Sequence, residues 1–116
     1  MQTGLQHISI SQALSASSQR LRTYLPVQED EVGWSELIEA AYQLKSDLSI
    51  SQKSWGEACQ LLGRTGALIC ILLTDQATLR KSDPVKKPAA YFNGMIAKAR
   101  AGELKLHKSI FGLLKG

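Results

Sequence analysis

The run from Gly66 to Leu73 contains eight consecutive apolar residues, set inside a helical pattern that extends from Arg64 to about Lys81. A helix that is apolar all round must be buried on every side, in lipid or at the centre of a domain. A membrane span needs about 20 such residues, so this run is expected at the centre of a soluble domain, with the other helices covering it. A chain of 116 residues buries roughly two-thirds of its unfolded surface, enough for one core without a metal or a disulfide framework. Cys59 and Cys70 lie in apolar helical patterns without C-x-x-C spacing, so they read as two buried thiols in a reducing cytosol.

The flanking patterns supply the covering helices. Residues 1–8 are expected to be a disordered or tag-like terminus, and 9–116 a single helical domain. Ser9 to Leu25 reads as a first helix, with Ile10, Ala13, Leu14, Leu21, Tyr24 and Leu25 on one side and Pro26 ending it. Trp34 to Leu48 is the clearest amphipathic helix. Trp34, Leu37, Ile38, Ala41, Leu44 and Leu48 form its apolar stripe, and Glu36, Glu39, Gln43 and Asp47 its polar face. Ser54-Trp55-Gly56-Glu57 fits a capping box that opens a third helix, with Gly63 as its C-cap. The fourth helix, Arg64 to Lys81, ends on two cations that suit its dipole.

Pro88 stands where an N1 proline belongs, and a fifth helix runs to Ala101. Tyr91, Phe92, Met95, Ile96 and Ala99 occupy one side of it, and Asn93, Gly94, Ala97, Arg100 and Ala101 the other. Gly102 closes it. Glu103-Leu104-Lys105-Leu106 alternates polar and apolar, which fits one extended segment the size of a minimal wing. His107 to Leu114 reads as a last short helix. The expected fold is all-α: five or six short helices around a buried central helix, with a helix-turn-helix or winged-helix-like core.

Charge is unevenly distributed. Residues 1–63 carry four Lys/Arg against seven Asp/Glu, while residues 64–116 carry ten against three. A basic half of this kind suits a polyanion, with the acidic half left for another partner. Catalysis has no visible machinery. His7 and His107 lack metal-ligand spacing, there is no Gly-rich phosphate loop or nucleophile elbow, and the Glu36 and Glu39 face is open and solvated. The expectation is a non-enzyme with no cofactor, no metal, no small-molecule substrate and no membrane partner. The N-terminus has no basic and apolar leader, so a cytoplasmic location is expected.

Two elements are candidates for contacting DNA. The second and third helices have helix-turn-helix spacing, with Lys53 and Gln60 outward. The fifth helix is the better candidate, because its outer side holds small residues with Asn93 and Arg100, flanked by Lys86, Lys87 and Lys98. Lys86 and Lys87 precede the helix, where its first-turn amides add to phosphate binding. The expected nucleic-acid-binding set is Arg80, Lys81, Lys86, Lys87, Asn93, Lys98, Arg100, Lys105 and Lys108. The same small-residue surface also suits packing on another helix, in this chain or in a second copy. Trp34, Trp55, Tyr91 and Phe92 fall on apolar faces, which counts against a single-strand stacking platform.

Ser54-Trp55-Gly56-Glu57-Ala58-Cys59, Leu62-Gly63, the apolar helix, Pro88-Ala89-Ala90-Tyr91-Phe92 and Ala99-Arg100-Ala101-Gly102-Glu103-Leu104 form a series over about residues 8–114. This series resembles the C-terminal region of RepC, the replication initiator of repABC-type plasmids. The family's usual Pro-Gly-Gly-Tyr is Pro88-Ala89-Ala90-Tyr91 here, which firms the helix start. The resemblance implies a piece of a longer initiator, whose N-terminal region would carry a winged-helix DNA reader. It also implies a role in starting plasmid replication, by binding double-stranded origin DNA or by gathering host replication proteins or a second copy of itself.

Overall fold

The computed structural model describes residues 3–115. It contains six α-helices: α1 (Ile10–Ser15), α2 (Gln19–Arg22), α3 (Trp34–Asp47), α4 (Gln52–Thr78), α5 (Pro88–Arg100) and α6 (Leu106–Lys115). Two short 3-10 turns, Leu5–His7 and Glu29–Glu31, complete the regular structure. There is no β-strand among the described residues. The all-α class is therefore as expected, but Glu103–Lys105 is a connector and not a wing. Its alternation still reports burial, since Leu104 and Leu106 point inward and Lys105 outward.

The centre of the molecule is α4. Every residue from Gly66 to Asp75 is buried, and α3, α5 and α6 pack around it. Length and composition alone would let α4 pass for a membrane span. A break and the surrounding helices account for its apolarity instead. At Gly63 the backbone leaves the helical region, with φ 76° and ψ 170°, a combination essentially reserved for glycine. A side chain at Gly66 would bring its Cβ to 2.5 Å from the Leu62 Cβ. One glycine thus permits the kink and the other gives it room. The expected third and fourth helices are the two segments of α4, and Gly63 divides them.

Several expected boundaries move. The capping box at Ser54 does not form, because the helix begins one turn earlier at Ser51, whose hydroxyl accepts from the Ser54 amide at 3.1 Å. Between α3 and α4, Ser49 takes positive φ (59°), and the Ile50 and Ser49 amides donate to the carbonyls of Lys45 and Ser46. This is a Schellman turn with serine in place of glycine. The first helix splits in two at Ser17 and Ser18. Ser17 donates to the Ala13 carbonyl at 2.8 Å, and Ser18 caps α2 through the Leu21 amide. Serines that compete for backbone hydrogen bonds end the helix here. The helix around Arg64–Lys81 stops at Thr78, so Arg80 and Lys81 lie beyond it in the following turn.

Residues 3–8, expected to fray, are docked. The Thr3 carbonyl accepts from the Leu106 amide at 2.8 Å, and Ile8 is buried. Residues 1 and 2 lie outside the described residues. The His7 and His107 rings meet at a tilt of 55° with centroids 5.6 Å apart, and His107 is half-buried.

Candidate nucleic-acid interface

The turn between α4 and α5 gathers four of the expected cations. Leu79 caps α4 by donating to the Gln76 carbonyl, and the Val85 amide donates to the Ala77 carbonyl at 3.0 Å, folding the turn back onto the helix end. Asp83 turns the chain with positive φ (52°). Arg80, Lys81, Lys86 and Lys87 are all exposed there, with Asp83 the one carboxylate between them in sequence. Arg80 leans over Tyr91, its guanidinium donating to the phenol oxygen at 3.4 Å. Lys87 is the N-cap of α5 and offers no capping side chain, with Pro88 at N1. The first-turn amides and the positive end of the helix dipole thus point toward the same cationic turn.

A second group lies at the other end of α5. Lys98 is about 16 Å from Lys87 along the axis, at 1.5 Å per residue. Gly102 (φ 72°) ends the helix as expected, with the Glu103 amide donating to the Lys98 carbonyl at 2.9 Å. Lys98, Arg100, Lys105 and Lys108 surround this end and all four are exposed. Arg100 is not free, because it forms an ion pair with Glu57 from α4. Asn93 lies between the two groups on the outer face of α5, exposed with Gly94 and Ala97. The nine expected residues are therefore all on the surface, but in two groups separated by the length of a helix.

The carboxylates are placed differently. Glu36 accepts from the Gly33 amide at 2.7 Å and starts α3. Asp47 accepts from the Tyr24 hydroxyl at 2.7 Å, and that bond, followed by burial, raises the Tyr24 pKa above its ordinary value. Asp75 is fully buried and takes the Ser18 hydroxyl and the Arg20 guanidinium, the latter at 2.6 Å. Burial pushes the Cys70 thiol up to about 12. Cys59 is half-buried and raised by the same cause, which Arg64 partly opposes. No group of three or more His, Cys, Asp or Glu able to hold a metal occurs among the described residues.

One surface feature was not foreseen. Phe111, Leu113 and Leu114 of α6 are each more than a third exposed, and Leu113 borders a groove toward α5. The signal was present in the run Ile110 to Leu114, which holds more apolar side chains than one buried face can use.

Fold and surface define a small all-α domain that is buried around one kinked helix and divided by charge. The chain matches the family Replication protein C C-terminal region over residues 9–116 and belongs to it. Its role is accordingly in replication initiation, and the resemblance noted in the sequence is confirmed. No curated protein and no solved structure matches the chain.

Proposed function

We propose that this domain binds duplex DNA at a plasmid origin, mainly through phosphate contacts made by its basic C-terminal half. The observation that carries this reading is the α4–α5 turn, where Arg80, Lys81, Lys86 and Lys87 are exposed beside an α5 N-terminus without a side-chain cap. Lys98, Lys105 and Lys108 extend the contact, and Asn93 adds a polar group on the outer face of α5. A helix-turn-helix arrangement of α3 and α4 belongs to the same reading, supported by the short turn between them and by the exposure of Lys53 and Gln60. The domain acts by binding and not by catalysis, in the cytoplasm where plasmid DNA is replicated.

Salt titration of duplex binding tests it. Affinity is expected to fall steeply with salt, and reversing Lys86 and Lys87 to Glu is expected to lower the logarithmic slope by about two, at roughly 0.9 per phosphate contact. Undetectable binding at about 50 mM salt would remove the DNA reading and leave a protein-interaction module of the initiator.

A further inference from the structure

Between α5 and α6 runs a groove made of two contiguous depressions of about 330 and 270 Å³. They share Leu73 of α4 as floor, with Tyr91 and Ser109 at the waist. One end holds Leu113 and Arg80, and the other Leu104 and Lys98. Among the described residues no carboxylate lines either depression. The groove thus has an apolar floor of Leu73 with Met95 and Leu104 at one end, polar groups from Gln76 and Ser109, and a cation at each end.

Gly94 keeps it open. A Cβ there would meet nothing within 4 Å, and its φ is not positive, so the fold does not require glycine at this position. A glycine inside a helix costs roughly 0.5–1 kcal/mol relative to alanine. Here it leaves the groove wall low between Tyr91 and Lys98, where Met95 is the other α5 residue that lines it. Duplex DNA does not account for the site. Depressions of about 330 and 270 Å³ are too small to admit a double helix.

We infer that this groove docks a short acidic segment of a partner protein, with apolar residues at its centre and carboxylates at both ends. The spacing fixes the pattern. Arg80 leans over Tyr91, and Tyr91 to Lys98 spans about 10 Å of helix, which three extended residues cover at about 3.3 Å each. Two apolar side chains separated by one residue would face the floor together, and carboxylates on either side would meet Arg80 and Lys98.

The test is fluorescence anisotropy at low salt with the labelled peptide Glu-Asp-Leu-Thr-Phe-Asp-Glu. Control peptides replace its acids with Lys, or its Leu and Phe with Ser. The acidic-apolar peptide is expected to bind saturably, and amide shift changes to centre on Gly94, Ser109 and Leu113. Gly94→Trp, and separately Arg80→Glu with Lys98→Glu, are expected to weaken binding at least about tenfold, or 1.4 kcal/mol. Gly94→Ala is expected to bind as before and serves as the folding control. If Gly94→Trp does not fold, Leu113→Asp takes its place. The double reversal of Lys86 and Lys87 leaves peptide binding largely intact, which separates this site from the DNA reading. The inference is overturned if the acidic-apolar peptide binds no better than its controls, or if Gly94→Trp binds it unchanged. It is equally overturned if light scattering shows a dimer that buries the groove.

Discussion

The carboxylates of the α2–α3–α4 region and the cations of the α4–α5 turn meet opposite fates on folding. Glu36 caps a helix, Asp47 holds a phenol, Glu57 holds Arg100, and Asp75 is sealed in the core by Ser18 and Arg20. In the turn, Lys81, Lys86 and Lys87 form no ion pair among the described residues, and Arg80 donates to the Tyr91 phenol. Four carboxylates of that region are thus bonded within the molecule, while the cations of the turn remain at its surface. The two ion pairs that neutralise a cation, Arg20–Asp75 and Arg100–Glu57, do not involve the cations of the turn, so its positive field is left intact.

The largest expected effect comes from breaking the bonded side. Arg20→Met leaves Asp75 buried with the Ser18 hydroxyl as its remaining partner. Removing one partner of a buried pair costs about 3–5 kcal/mol, and the Arg20 side chain is 40% exposed, which places this loss near the low end. Urea unfolding measures it. Reversing Lys86 and Lys87 in the same assay is expected to change stability by no more than about 0.5 kcal/mol. Comparable costs for the two variants would erase the distinction between bonded and free charge.

A smaller effect is expected at the kink that positions both sides. Gly63→Ala forces a side chain into a backbone region reserved for glycine, at about 1–3 kcal/mol. Gly66→Ala pushes a methyl into Leu62 and is expected to cost about 1–3 kcal/mol as overpacking. Gly56→Ala, where an added Cβ meets open space, is expected to be neutral or slightly stabilising. Urea midpoints for the three variants would rank the glycines. Equal midpoints would mean that α4 tolerates being straightened.

Much of the fold was legible in the sequence, because burial follows periodicity. The apolar run marked the centre, the α3 stripe held at Leu37, Ala41, Leu44 and Leu48 but missed the buried Ala40 and Lys45, and the inner face of α5 held with Phe92, Met95, Ile96 and Ala99 all buried. Helix ends were less legible because they depend on small polar residues with several options. Ser51, not Ser54, caps α4, and Ser17 and Ser18 divide a helix that the apolar pattern joined. The exposure of the candidate site residues was also legible, since solvated lysines have few alternatives. Their bonding was not. The pairing of Arg100 with Glu57 joins residues 43 positions apart, and no local pattern encodes it. The groove was hidden for the same reason, as its walls come from three helices and its most telling residue is a glycine.

Glu57→Gln gives the smallest expected effect and the sharpest test of the comparison, since it moves one cation from the bonded group to the free one. The pair is partly exposed, with side-chain accessibilities of 56% for Arg100 and 30% for Glu57. Such pairs contribute about 0–1 kcal/mol, so unfolding should hardly register the change. DNA binding should register it. A released Arg100 would join Lys98 at the end of α5, and the logarithmic salt slope is expected to steepen by up to about one. An unchanged slope would mean that DNA contacts only the α4–α5 turn and that the far end of α5 stays outside the interface. A flatter slope would mean that the ion pair itself holds α5 in its binding position, and bonded charge would then be serving the site.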